Sequence, residues 1–263
     1  MKFLNLILIL LLSTSFVNAQ FCETVLRPQL EDYKPYVGFK QCEKYELKAG
    51  KDSENKNLVN IWQYNKKGQQ QVEVWLLEST DTIVRITLEY NKNNQLIRSL
   101  EYAPVYSFKE IPTAYFYNDK GLLEKLLTLS PDSTIVIISY DAKGFIRECN
   151  AFEKVSADDE NENESGNMDL NIYKTVFTTD QIGRITEFNH ISLSSNDEFN
   201  YSAFYTYNKN GQISSYKSLD KDGKVKLEET FNFDKYGKVK ASKLNYVDYE
   251  GIFKTTYYRY EYK

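Results

Sequence analysis

The stretch Tyr205–Val239, YTYNKNGQISSYKSLDKDGKVKLEETFNFDKYGKV, says one short phrase three times. The copies are Tyr207-Asn208-Lys209-Asn210-Gly211-Gln212-Ile213, Leu219-Asp220-Lys221-Asp222-Gly223-Lys224-Val225 and Phe233-Asp234-Lys235-Tyr236-Gly237-Lys238-Val239. Each has an aromatic residue or Leu, then Asn or Asp, two turn-tolerant residues, Gly, one further residue and an aliphatic. An Asn or Asp side chain opens a type I turn, and a Gly three residues later takes the left-handed conformation that closes a short hairpin. The phrase therefore predicts a tight turn between two strands, and its recurrence predicts a chain made of hairpins.

Upstream the phrase returns at Tyr64-Asn65 to Gly68, Tyr90-Asn91 to Asn94, Tyr117-Asn118 to Gly121, Tyr140-Asp141 to Gly144 and Thr179-Asp180 to Gly183. Downstream a degenerate copy runs from Val247-Asp248 to Gly251. Asn94 stands where the others have Gly, and Asn is the next most tolerant residue in the left-handed region. Most copies lie about 23 to 28 residues apart, room for two strands and two turns. Between them the alternation is that of strands with one apolar face. Val84, Ile86, Leu88 and Tyr90 alternate with Arg85, Thr87 and Glu89, and Tyr201, Tyr205 and Tyr207 share a face opposite Ser202 and Thr206. Leu122 to Leu129 and Ile135 to Ser139 are apolar at both parities, which predicts that the middle of the sheet is covered on both sides. No helix of normal length is expected after residue 58. The expected fold class is all-β, an antiparallel meander of repeated hairpins with roughly 15 to 18 strands. Open twisted sheets seldom exceed about ten strands, so the sheet must twist and curl.

The N-terminal part follows no repeat. Lys2, the apolar run Phe3–Leu12 and the triplet Val17-Asn18-Ala19 read as a signal peptide over residues 1–19, with the mature chain starting at Gln20 and exported. The apolar run is shorter than the roughly 20 residues a spanning helix needs, and no later stretch approaches it. Residues 20–57 read as a non-repetitive cap, 58–263 as the repeat domain, and 155–170 as an acidic insertion carrying Asp158 to Glu164. Export favours a disulfide, and Cys22 and Cys42 bracket the cap, so that pair is the expected bond, with Cys149 left over. The net charge of -4 argues against a nucleic-acid partner.

The copies at Tyr140–Ile146 and Phe233–Val239 resemble the YD repeat of Rhs-type and related bacterial secreted proteins, a resemblance that covers about residues 58 to 251. It implies hairpins laid side by side in an antiparallel strip that coils around a hollow. It also implies a periplasmic, cell-surface or extracellular protein of a Gram-negative bacterium. The interval here is longer than in that family and its second regularly spaced glycine is missing, so encapsulation of a toxin does not carry over.

Catalytic chemistry finds little to work with. His190 is the single histidine, in a strand-like stretch with no nucleophile signature, so a Ser/His/Asp or Cys/His centre has nowhere else to form. One His and three Cys show no close-spaced zinc ligands. Asp158 to Glu164 lacks the ligand spacing and fixed Gly of a calcium loop, and Asp220 to Gly223 is explained as a repeat turn. No catalytic residue, cofactor or metal is expected, although a carboxylate pair for hydrolysis needs no local motif. The first expectation is a structural or interaction module for a protein or glycan partner. The second is a carrier enclosing an apolar, lipid-like ligand, and a hydrolase is third. Tyr201, Tyr205 and Tyr207 are the candidate recognition face, with burial as core the stronger reading of the same residues.

Overall fold

In a computed structural model of the chain the residues described are 38–48, 50, 54–77, 81–103, 110–129, 133–154, 169–193, 200–248 and 251–263. Their strands are β1 (Gln41–Leu47), β2 (Lys56–Tyr64), β3 (Gln70–Leu77), β4 (Asp81–Tyr90), β5 (Leu96–Tyr102), β6 (Ile111–Tyr117), β7 (Leu123–Thr128) and β8 (Thr134–Tyr140). They continue as β9 (Ile146–Lys154), β10 (Asp169–Thr179), β11 (Ile185–Ser192), β12 (Tyr201–Tyr207), β13 (Ile213–Asp220), β14 (Val225–Phe233), β15 (Val239–Val247) and β16 (Phe253–Tyr262). Every strand pairs antiparallel with its sequence neighbours, and β1 pairs with β16, so the sixteen-strand meander closes into a barrel.

Each turn phrase does what its chemistry requires. At Asn208 the Gly211 N–H donates to the Asn208 carbonyl at 3.0 Å, while the side-chain Oδ1 accepts from the N–H groups of Asn210 and Gln212 at 2.8 and 3.1 Å. Asn94 carries the same left-handed backbone as the glycines, with φ 63°. Where the residue after the left-handed turn position is Gln, it reaches sideways to the next turn on the same rim. Gln69 donates to the Asn94 carbonyl, Gln95 to that of Gly121 and Gln212 to that of Gly237. The Phe145 ring lies so close to Gly183 that a Cβ there would sit 2.5 Å from it. These contacts tie neighbouring turns together along one rim of the barrel.

The tyrosine that heads the phrase has a task that only the fold reveals. A β-bulge falls next to Tyr117, Tyr140 and Tyr207, and each phenol donates to a main-chain carbonyl in the preceding hairpin: Leu96 at 2.8 Å, Leu123 at 2.7 Å and Ile185 at 2.6 Å respectively. Tyr262 repeats the bond to Val239 at 3.0 Å. These carbonyls lie where the ladder to the next strand has run out, so the phenols satisfy groups that burial would otherwise penalise.

Two sequence expectations change. The barrel reaches back to Gln41, into the segment read as a cap, because β1 lacks a turn phrase and its partner β16 lies at the other end of the chain. The middle of the sheet is covered on its inner side only: Phe116, Leu129 and Ile137 lie exposed on the outer wall. The expected Cys22–Cys42 disulfide involves Cys22, which lies outside the described residues. Cys42 is a free thiol pointing inward opposite Trp62 and Tyr262, and burial pushes its pKa up to about 12 despite a hydrogen bond with Tyr262. The rest of residues 1–37 and the acidic run 155–168 also lie outside the described residues.

Candidate functional site

Antiparallel register carries one face from strand to strand around the whole barrel. Tyr205 faces Tyr216, which faces Glu229, then Leu244 and Thr256. Across the closure Tyr260 faces Lys44, then Asn60 and Trp75, and so on to Ser99, Tyr115, Leu126 and back to Ala203. This is the inner wall, and its two halves differ. From β6 to β12 it is shut: Leu126, Val136, Cys149, Ala151, Thr175 and Ala203 are all at most 1% exposed. They pack into a cluster with Tyr115, Tyr173, Phe177, Phe188 and Tyr205. From β14 through the closure to β4 the inward rings stay only half-buried, among them Trp62, Trp75, Tyr246, Tyr258 and Tyr260, while the smaller or charged Cys42, Glu229 and Ser242 are buried.

The half-open side combines aromatic faces with charge. Trp62 stacks on Tyr260 with centroids 6.3 Å apart and planes 17° from parallel. The Lys44 ammonium lies 3.9 Å from the Tyr258 ring centroid and 3.8 Å from Glu229 Oε1, an oxygen that also accepts from Ser242 at 2.7 Å. Trp75 Nε1 donates to Glu73 Oε1 at 2.6 Å, and Gln70 donates to the second oxygen at 3.2 Å. Glu101 faces Ile86, which faces Glu73 on its other side. Burial first, and then the Glu73 charge, raise the Glu101 pKa above the ordinary carboxylate range. The Tyr258 phenol is likewise pushed up, by burial and then by Glu229 and Glu46. Trp62 and Trp75 are the two tryptophans of the chain, and both face this lining.

The closure is fastened from outside. Lys263 Nζ lies 2.5 Å from Glu43, which also accepts from Tyr45 and Gln41. Burial opposes the Glu43 charge, but these donors outweigh it and hold the carboxyl below its usual range. Lys56 pairs with Glu261 and lies 3.9 Å over the Tyr45 ring.

The residues singled out in the sequence lie on the shut side. Tyr205 is 7% exposed, Tyr201 and Tyr207 pack against the same cluster, and Phe188 touches both Tyr201 and Tyr205. His190 lies between the Tyr173 and Tyr201 rings, at 4.9 and 5.0 Å, with Nδ1 3.0 Å from the Thr175 hydroxyl. Burial drives its pKa down to about 4, so the ring is neutral at ordinary pH, with a hydroxyl and two phenol rings around it. Among the described residues no three His, Cys, Asp or Glu come together in a way that could hold a metal. Trp62, Trp75, Tyr258 and Tyr260 were not singled out, because their alternation is the same as that of the packed aromatics. The one usable signal was that both tryptophans fall at the same parity of neighbouring strands.

The outer wall is mixed. Glu89 pairs with Arg98 at 3.7 Å and Lys174 with Glu148 at 2.6 Å, and Lys217 faces Glu228 across β13 and β14. A shallow outer hollow of about 290 Å³ is lined by Arg85, Thr87, Leu100, Tyr102 and Glu110.

No protein-family model matches the chain, and no curated protein matches it. Among solved structures it is similar to a porin-like protein from Bacteroides uniformis, with 11% identity over 87% of this chain and 99% of that one and a TM-score of 0.51. A porin-like protein from Bacteroides vulgatus is matched at 10% identity over 84% of this chain and 97% of that one, TM-score 0.39. The TcdB2-TccC3-Cdc42 structure is matched at 13% identity over 74% of this chain, TM-score 0.31, and this chain spans 12% of that one. The first likeness is one of fold, a closed antiparallel β-barrel.

Proposed function

We propose that the chain is an exported, non-catalytic binding barrel that holds a saccharide chain against the half-open inner wall between β14 and β4. The observation behind this is the pairing of accessible aromatic faces, Trp62 stacked on Tyr260 with Tyr258 and Trp75 beside them, with hydrogen-bonding carboxylates. A sugar offers apolar faces for such rings and hydroxyls for Glu73 and Glu101, and sites of this kind place few polar groups among apolar ones. An apolar carrier fits less well: an alkyl chain would strand Lys44, Glu73, Glu101 and Glu229 against hydrocarbon, at a cost burial of charge always carries.

The outer wall also departs from that of a membrane-spanning barrel. There, apolar residues face lipid and polar ones the lumen, and a lysine or arginine at the midplane costs about 2–4 kcal/mol. Here the packed aromatics are inside and the Glu89–Arg98 and Lys174–Glu148 pairs outside. A barrel standing in water is the reading these walls support, despite the fold shared with porin-like proteins.

Because both tryptophans face the lining, their fluorescence reports its occupancy. Titration with soluble oligosaccharides of cellulose, chitin and mannan should shift the emission for at least one, and Tyr260→Ala should weaken that ligand at least tenfold with little change in melting temperature. A response to a fluorescent fatty acid and to no saccharide would transfer the site to the carrier reading.

A further inference from the structure

Repeat turns gather cations at one end of the barrel. Seven of the nine, the connections β2–β3, β4–β5, β6–β7, β8–β9, β10–β11, β12–β13 and β14–β15, lie at that end, while the Asp220–Lys224 and Asp248–Ile252 turns lie at the other. The seven contain nine Lys and Arg against four Asp, a net +5. Among the described residues of the eight other connections, Glu54, Glu110, Asp222 and Asp248 stand against Lys48, Lys221 and Lys224, so no comparable excess of cations is found there. Three of the four turn carboxylates, Asp141, Asp180 and Asp234, accept main-chain N–H groups of their own turns, and Asp180 is also bridged by Arg184. The lysines point the other way: Lys66, Lys67, Lys92, Lys120, Lys143, Lys209 and Lys235 are all exposed at the turn tips. Successive turns are two strands apart, so these ammonium groups ring the rim at intervals of about 10 Å. Two apolar side chains stand among them, Ile182 at 70% and Tyr236 at 73% exposed.

We propose that this turn rim docks on an anionic lipid surface. A flat ring of cations meets a plane of phosphate headgroups along its whole circumference. Ile182 and Tyr236 supply the apolar and interfacial side chains that such contact takes up, as an amphipathic surface does when it lies in the headgroup region. The proposal is independent of what the lumen holds.

The test is co-sedimentation of the purified protein with vesicles of pure phosphatidylcholine and of phosphatidylcholine containing about a third phosphatidylglycerol. Binding to the anionic vesicles should be at least tenfold tighter and should fade at high salt. Each lysine near an anionic surface contributes about fivefold, so the triple variant Lys92→Gln, Lys209→Gln, Lys235→Gln should lose about a hundredfold. Tyr236→Ser with Ile182→Ser should weaken binding without changing its salt dependence, and Lys221→Gln with Lys224→Gln at the other end of the barrel should leave it unchanged. Melting curves establish that each variant is folded. No preference for anionic vesicles at low salt, equal losses from the variant at Lys221 and Lys224, or binding to soluble heparin with none to vesicles would each overturn the proposal.

Discussion

The inner wall has two halves built from the same repeat. Between β6 and β12 the inward residues alternate large and small, with Val136 facing Ala151, Ala151 facing Tyr173, and Phe188 facing Ala203. Small partners let large ones close over them, and the result is a dry layer. Between β14 and β4 the alternation is large on large or large on charged: Tyr260 on Lys44, Trp62 on Glu73, Tyr246 on Leu227. Such rows leave their rings only half-buried, with the carboxylates and ammonium bonded to one another and to neighbouring donors. The repeat specifies a hairpin; the size and charge of the inward residue decide whether that hairpin becomes core or lining.

The largest expected effect breaks the comparison if it fails. Tyr205→Ala, on the shut side, should cost about 3–5 kcal/mol in denaturant unfolding, the range for large buried aromatics. Tyr258→Ala, on the half-open side, should cost no more than about half as much, since its ring is only partly buried. Equal losses would mean that both halves are core and would remove the case for a ligand on the lining.

His190 sharpens the same contrast through pH. The unfolded histidine takes a proton near its ordinary pKa of 6.5, while the buried ring resists until about pH 4. The folded state therefore binds fewer protons between those values, and stability falls as the pH drops from 6.5 toward 4, by up to about 3 kcal/mol. Carboxylates titrate in the lower part of that window too, so the measurement is the difference between wild type and His190→Gln. That difference should move in favour of the variant as pH falls from 7 to 4.5. A gap independent of pH would show that water reaches the ring.

The hairpins were legible because a turn is local: Asn or Asp, Gly three residues on, and an aliphatic after it are enough to place the bend. The parity of Tyr201 and Tyr205 was legible for the same reason. Closure was not, since the β1–β16 pairing joins Cys42 to Tyr262 and no short-range pattern marks it. Nor was the lining, because Trp62 and Tyr115 obey one alternation and differ only in what stands across the barrel from them. The repeat tyrosine was read as strand-forming bulk, whereas its hydroxyl serves a carbonyl in another hairpin, a contact about 20 residues away in sequence.

That hydroxyl gives the smallest and most discriminating test. Tyr140 and Tyr262 make the same bond, to the carbonyls of Leu123 and Val239, at 2.7 and 3.0 Å. Phe in place of either removes one hydroxyl and leaves the ring. Leu123 is 2% exposed and sits in the shut layer, so its carbonyl, once abandoned, has no water to turn to and should cost about 1–3 kcal/mol. Val239 lies half-exposed beside the closure, where water can replace the phenol, and Tyr262→Phe should cost less than about 1 kcal/mol. Paired denaturant melts of the two variants read the difference directly. If Tyr262→Phe proves as costly as Tyr140→Phe, the region beside the closure is as dry as the core, and the half-open wall is narrower than its side-chain exposure implies.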